Sequence, residues 1–281
     1  MAYDARRALL TELIDDAGLF PPASLPMEEA VSQHVASRTG PHADLLGRFI
    51  CPALRLPELA EHLDPLPAWR LSVLIDGADP EPGLEVVAGF DDPRVTIELV
   101  ESKPAGSIPA LLDAFEEAGL GGAMPFLEVA PRDEAALDGV AETMAGAKIR
   151  CGGEAEAPSP ADVASFIDGC RRRGLRFKAT AGLHHPFRHE RDGGMQHGFV
   201  NLVAASVLAR EQNLDAAAIE PIVAELEPGR FDLTTDRLRW RDLEAGPGAI
   251  EDARRSLLFS YGSCSFDEPV EDLLALGILP L

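Results

Sequence analysis

The sequence predicts a parallel (β/α)8 barrel of the TIM type, and three observations carry that prediction. Short β-rich runs alternate with helical patterns over most of the chain, which argues for βα units and a parallel sheet. Seven such runs can be counted, one short of the eight that close a barrel. Hydrophobic residues make up 46% of the 281 residues, enough to bury one large α/β core. An open doubly wound sheet is the alternative.

The elements follow in order. Ala5, Leu9, Leu13 and Ile14 recur at helical spacing and predict an amphipathic helix near 4–17. With a second helix near 26–37 it makes an N-terminal helical extension over 1–40, lying across the bottom or side of the barrel. Strands are predicted at Leu46–Pro52, Trp69–Asp76, Val95–Glu101, Ala123–Val129, Ala147–Cys151, Leu175–Ala181 and Leu258–Cys264. Helices near 55–63, 80–89, 106–118, 133–145, 159–173 and 197–211 separate them. Ser159 can cap the fifth of these, with Pro160 in its first turn and Asp162 at the positive end of its dipole. An eighth strand is expected from 230–241, although Phe231 to Trp240 reads more like a hairpin. The seventh unit is therefore where distortion is expected. The one linker-like stretch, 152–160, is too short to separate domains, so 1–281 reads as a single barrel domain.

Composition narrows the function classes. A net charge of −22 argues against nucleic acid or anionic membrane as partners, because phosphate needs a basic footprint. No run approaches the roughly 18 to 20 apolar residues of a membrane helix, and no secretory signal is evident, so a cytoplasmic location is expected. The four cysteines lack CxxC spacing, which indicates neither a disulfide scaffold nor a zinc knuckle. No GxGxxG follows a strand and no GxxxxGK[ST] occurs, so nucleotide cofactors gain no support. Residues 148–210 nevertheless hold ten of the 25 Lys and Arg residues and four of the seven His, a concentration that suits a small anionic substrate. The sequence is silent on oligomeric state and leaves a homo-oligomer open.

Alternation along the strands predicts what faces the barrel interior. Apolar Phe177, Ala179, Ile149 and Cys151 are expected to pack outward. That sends Lys178, Thr180, Lys148 and Arg150 inward, with Glu128, Glu98, Thr96 and Asp76 on the preceding strands. Ionised side chains in a core are costly unless paired or solvated in a cleft, so five strands contributing this set point to an active site. A buried ion network of purely structural purpose is the alternative. The loop from Gly182 to His197 is long, polar and rich in histidine, as binding loops are. It offers His184 and His185, with Gly193-Gly194 as a hinge. His197 and Asn201 lie four apart on one helix face. Ser263, among the small residues that end the last strand, is a further binding candidate, and Ser265 can cap the short helix near 268–276 with Glu268 completing a capping box. Gly18 to Ala23 forms a rigid turn that could cover a barrel mouth.

Lys148 and Lys178, facing inward from neighbouring strands, are expected to lower each other's pKa through like-charge repulsion and burial, and a neutral lysine adds to carbonyls. Phe177-Lys178-Ala179-Thr180-Ala181-Gly182 resembles the Schiff-base strand of the class I deoxyribose-phosphate aldolases. Lys148-Ile149-Arg150-Cys151-Gly152-Gly153 is similar to the second-lysine strand of that family, which ends in Gly-Gly. The order of the two strands is reversed here, and the likeness spans about twenty residues. It implies an aldolase-type barrel in which Lys178 is the Schiff-base amine, Lys148 tunes it, and no cofactor is needed. On this expectation Arg150 holds a carboxylate or phosphate, Glu128 or His184 moves protons, and Thr180, His185, His197, Asn201 and Ser263 line the substrate.

Two other functions stay open. A metal-dependent hydrolase or isomerase could draw on Asp76, Glu98, Glu128 and His184 as ligands for a divalent metal ion, with His185 and His197 in reserve. A non-catalytic small-anion binding protein would use the lysines as plain charges.

Overall fold

Eight parallel strands close into a barrel in which the first and last strands of the chain meet. The computed structural model describes residues 4–63, 68–153, 157–191 and 193–279. Of the linker-like stretch at 152–160, residues 154–156 lie outside the described residues. The first seven barrel strands are β1 (Ile14–Asp16), β2 (Leu46–Pro52), β3 (Trp69–Ile75), β4 (Val95–Ser102), β5 (Met124–Glu128), β6 (Gly146–Arg150) and β7 (Phe177–Thr180). After β7 come a hairpin, β8 (His189–Arg191) with β9 (Gly194–Gln196), and a small antiparallel sheet of β10 (Phe231–Leu233), β11 (Leu238–Trp240) and β12 (Leu243–Ala245). The eighth barrel strand is β13 (Leu258–Ser263), which pairs with β7 on one side and β1 on the other.

The helices are α1 (Ala5–Leu10), α2 (Met27–Thr39), α3 (Leu56–His62), α4 (Glu81–Ala88), α5 (Ile108–Glu117), α6 (Glu134–Ala141), α7 (Pro160–Arg173), α8 (Phe199–Gln212), α9 (Ala216–Ala224), α10 (Pro247–Ser256) and α11 (Asp267–Ala275). None among the described residues is long and apolar enough to cross a membrane.

The expectation of an eighth strand from 230–241 and of a purely helical segment over 1–40 is corrected. α1 stops at Leu10, where Thr11 turns extended and its hydroxyl donates to the Arg7 carbonyl. The chain then enters β1, whose three residues are all buried. Two of them are aspartates, which is why nothing in the segment reads as a barrel strand. Residues 231–240 form a hairpin outside the barrel, extended by β12.

The seventh unit carries the expected distortion. Between β7 and β13 the chain inserts α8, α9, the small sheet and α10. α8 is buried from Phe199 to Ala209, since α9, α10 and β12 cover the sides that the barrel does not. A helix apolar all round is stable only when so enclosed. α7 begins as its sequence requires, with a reciprocal Ser159–Asp162 capping box, and ends at Gly174 in the left-handed conformation (φ 65°). Its Phe166 packs edge-on against the outward-facing Phe177 of β7, with centroids 5.3 Å apart.

Candidate functional site

The C-terminal ends of the strands surround a cavity of about 810 Å³. Its floor holds Lys148, Glu128 and Glu101, with Arg150 on the wall above them. Thr180, His184, Ser263 and Cys264 continue the wall, and Phe20, Pro21 and Pro22 from the turn after β1 close over one side, as the rigid-turn reading anticipated.

The two lysines are register partners on β6 and β7 and both face inward, as alternation predicts. Their surroundings differ. Lys178 is buried, does not line the cavity, and donates to Asp15 Oδ2 at 2.5 Å and Glu101 Oε1 at 2.7 Å. Burial alone would lower its pKa, but the charges of Asp15 and Glu101 and their hydrogen bonds outweigh burial and hold it above the ordinary 10.5. The expectation of a Lys178 made neutral by its neighbour is thereby corrected. The carboxylates, not the second lysine, dominate its environment. Lys148 does line the cavity, with Nζ 3.2 Å from Glu101 Oε2 and 3.3 Å from Glu128 Oε2. Arg150 Nε lies 3.5 Å from Glu128 Oε1, and its side chain is 47% exposed.

Asp15 and Glu101 are the residues that sequence reasoning missed. Asp15 accepts from the Arg48 backbone N–H (2.8 Å), the Ser260 hydroxyl (2.6 Å) and Lys178. Gly47 makes room for it, since a Cβ there would run into Asp15 Oδ1. Glu101 also accepts from Ser72 Oγ at 2.6 Å. Burial would raise its pKa, but the ammonium groups of Lys178 and Lys148 and the bonds from Lys178 and Ser72 hold it well below the usual carboxylate range. Strict alternation from Glu98 passes over residue 101. The register shifts at that point, however: Leu71 pairs with Ile97 while Ser72 pairs with Leu99. This bulge flips the parity, so both Glu98 and Glu101 face inward, at opposite ends of the barrel.

Glu98 is therefore not at the mouth. It takes Arg48 at 2.8 Å and Arg70 at 2.6 Å at the N-terminal end, and Arg70 reaches Glu12 at 2.7 Å. The metal ligand set of Asp76, Glu98, Glu128 and His184 does not converge, and among the described residues no group of three His, Cys, Asp or Glu side chains is arranged to hold a metal ion. Asp76 sits exposed on the cavity rim, accepting from the Ala78 N–H.

His184 meets Glu268 Oε2 at 3.5 Å and Cys264 Sγ at 3.6 Å through Nδ1. Burial lowers its pKa below the ordinary 6.5, only partly opposed by Glu268, which favours the neutral imidazole. His185 turns away from the cavity to Asp272 (2.7 Å). His197 is fixed by the Pro158 carbonyl (2.7 Å), and Asn201 bridges the Ile222 and Glu225 carbonyls and the Arg188 N–H. His185, His197 and Asn201, expected to bind substrate, thus hold the loop after β7 and do not line this cavity. Ser263 lines it, though its hydroxyl is engaged with the Ser265 carbonyl. Ser265 Oγ in turn accepts the Glu268 N–H at 3.2 Å, while the Glu268 side chain goes to the histidines and leaves the capping box open. Ala181, also in the lining, takes a left-handed backbone (φ 62°) that costs a non-glycine residue about 1–2 kcal/mol.

Comparison with family models, with curated proteins and with solved structures returned no match for the chain.

Proposed function

We propose that the chain is a lyase of aldolase type, acting on a small anionic carbonyl compound through a Schiff base on Lys148. The observation that carries the reading is that Lys148 is a buried amine that nevertheless lines the cavity, while Lys178 is sealed beneath two carboxylates. Glu128 takes a proton from the Lys148 ammonium, and the freed amine adds to the substrate carbonyl. Return of that proton expels the oxygen as water and leaves an iminium ion. The iminium carries the same positive charge as the ammonium it replaces, so Glu101 and Glu128 keep their counter-ion. Cleavage of the bond between the α carbon and the hydroxyl-bearing β carbon sends its electron pair toward the iminium carbon and forms an enamine. The departing hydroxyl-bearing carbon becomes an aldehyde as neutral His184 accepts the hydroxyl proton. Protonation of the enamine and hydrolysis by water return the amine and the second product. Arg150, half exposed on the wall, holds the substrate's carboxylate or phosphate.

Lys178 serves as a positioning residue: it neutralises Glu101 from below, which leaves the other oxygen of that carboxylate to Lys148. The test is turnover of a panel of small hydroxy-keto acids and aldehydes by the wild type and by Lys148→Gln. Carbon–carbon cleavage in the wild type and its loss in the variant support the reading. Turnover that survives Lys148→Gln overturns it, as does anion binding with no turnover, which fits a non-catalytic binding protein instead.

A further inference from the structure

The cavity lining divides by strand. Its ionised side comes from β4, β5 and β6, with Glu101, Glu128 and Lys148 at the floor, half-exposed Arg150 above them, and Lys103 just beyond β4. The opposite side, from β1 to β3 and the segments that follow them, presents Phe20, Pro22, Ile50, Leu54 and Leu74. Leu54 is 63% exposed, one of the few large apolar side chains so open to solvent among the described residues, and it lines this cavity. The charged groups on that side are Asp76 and Asp79 at the rim. Acids there disfavour a second anionic group and leave an uncharged tail as the fitting occupant. The volume agrees: about 810 Å³ lies in the range that holds ligands of drug size, well beyond a three-carbon acid.

We infer that the substrate is amphipathic: a carbonyl compound with its anionic group against Arg150 and Lys103, and an uncharged hydrocarbon tail lying along the β1–β3 wall. The class is a medium-chain or aryl-bearing keto acid, not a sugar phosphate with polar groups at both ends. The inference rests on the Schiff-base reading for the carbonyl, whereas the tail rests on the apolar wall alone.

The experiment separates the two. Binding of straight-chain 2-keto acids from three to eight carbons is measured by calorimetry on the full chain, next to octanoate, which has a carboxylate and a tail but no ketone. Affinity is expected to rise about fourfold per methylene until the wall is covered. Octanoate is expected to bind far more tightly than acetate, and Leu54→Glu, a change at an exposed position, to flatten the dependence on chain length. Phe20→Ser is the second variant, expected to act in the same direction. Affinity independent of chain length overturns the inference, even where borohydride traps a keto acid on the protein. Octanoate binding that responds to both variants upholds the tail site, even where no keto acid is trapped and the Schiff-base reading falls.

Discussion

The two ends of the barrel interior are both charge-matched, yet they are built differently. At the N-terminal end Glu98 meets two arginines at 2.6 and 2.8 Å and Glu12 meets Arg70 at 2.7 Å. These are short, forked contacts of the kind that fix geometry. At the mouth Lys148 stands 3.2 and 3.3 Å from its carboxylates, and Arg150 stands 3.5 Å away with much of its side chain in the open. Between them Lys178 is locked at 2.5 and 2.7 Å. One set of strands thus carries short ion pairs that close the barrel below and longer ones that face the cavity above. In barrels of this kind the C-terminal face holds the chemistry and the N-terminal face holds stability.

That contrast can be broken in its middle first. Lys178→Met leaves Asp15 and Glu101 buried without their cation and is expected to lower the unfolding free energy by about 3–5 kcal/mol, read by urea denaturation. A loss below ~1 kcal/mol would place Lys178 outside the load shared by the lower network. At the mouth the effect moves from stability to rate. Glu128→Gln is expected to reduce turnover about 10²-fold while unfolding changes by less than ~1 kcal/mol, because the cavity lets water solvate Lys148 in its place. At the lower end Glu98→Gln is expected to cost about 1–2 kcal/mol of stability with turnover kept within about twofold.

The smallest effect is the most graded one. Burial acts against the charged forms of Glu98 and Glu101, and the Arg70 hydrogen bond favours that of Glu12, but the net displacement of all three is below the ordinary 4.5. A carboxylate with a depressed folded-state pKa contributes stability that is present above its unfolded value and lost as pH falls through the folded one. Lys178 runs the other way: its raised pKa contributes stability present below 10.5 and lost as pH rises through its folded value. The urea midpoint is therefore expected to be flat with respect to these groups between about pH 5 and 10 and to fall below 4.5, with a shallower acid limb in Glu98→Gln. An acid limb unchanged by that substitution would remove Glu98 from the lower network.

Much of this was legible in the sequence, and the failures have physical causes. The seven longer strands, the helices between them other than α9 and α10, and the irregular seventh unit follow from periodicity and punctuation. So do the inward lysines, which meet as register partners. The eighth strand was hidden because β1 is three residues long and two of them are aspartates, whose burial only makes sense once Lys178, His34 and Arg48 are placed against them. Glu101 was hidden by a bulge at Glu98, a one-residue event that alternation cannot see. The unequal fates of the two lysines were hidden for the same reason, since Asp15 and Glu101 decide them. His197 and Asn201 share a helix face as expected, but the partners that hold them are backbone carbonyls from distant segments.

The central claim is that the amine presented to the cavity is Lys148 and that Lys178 is sealed. Borohydride reduction of the wild-type protein in the presence of a 2-keto acid, followed by peptide mapping, tests it most directly. The account predicts one adduct, on Lys148, absent from Lys148→Gln. An adduct on Lys178, or equal labelling of the two lysines, would contradict it.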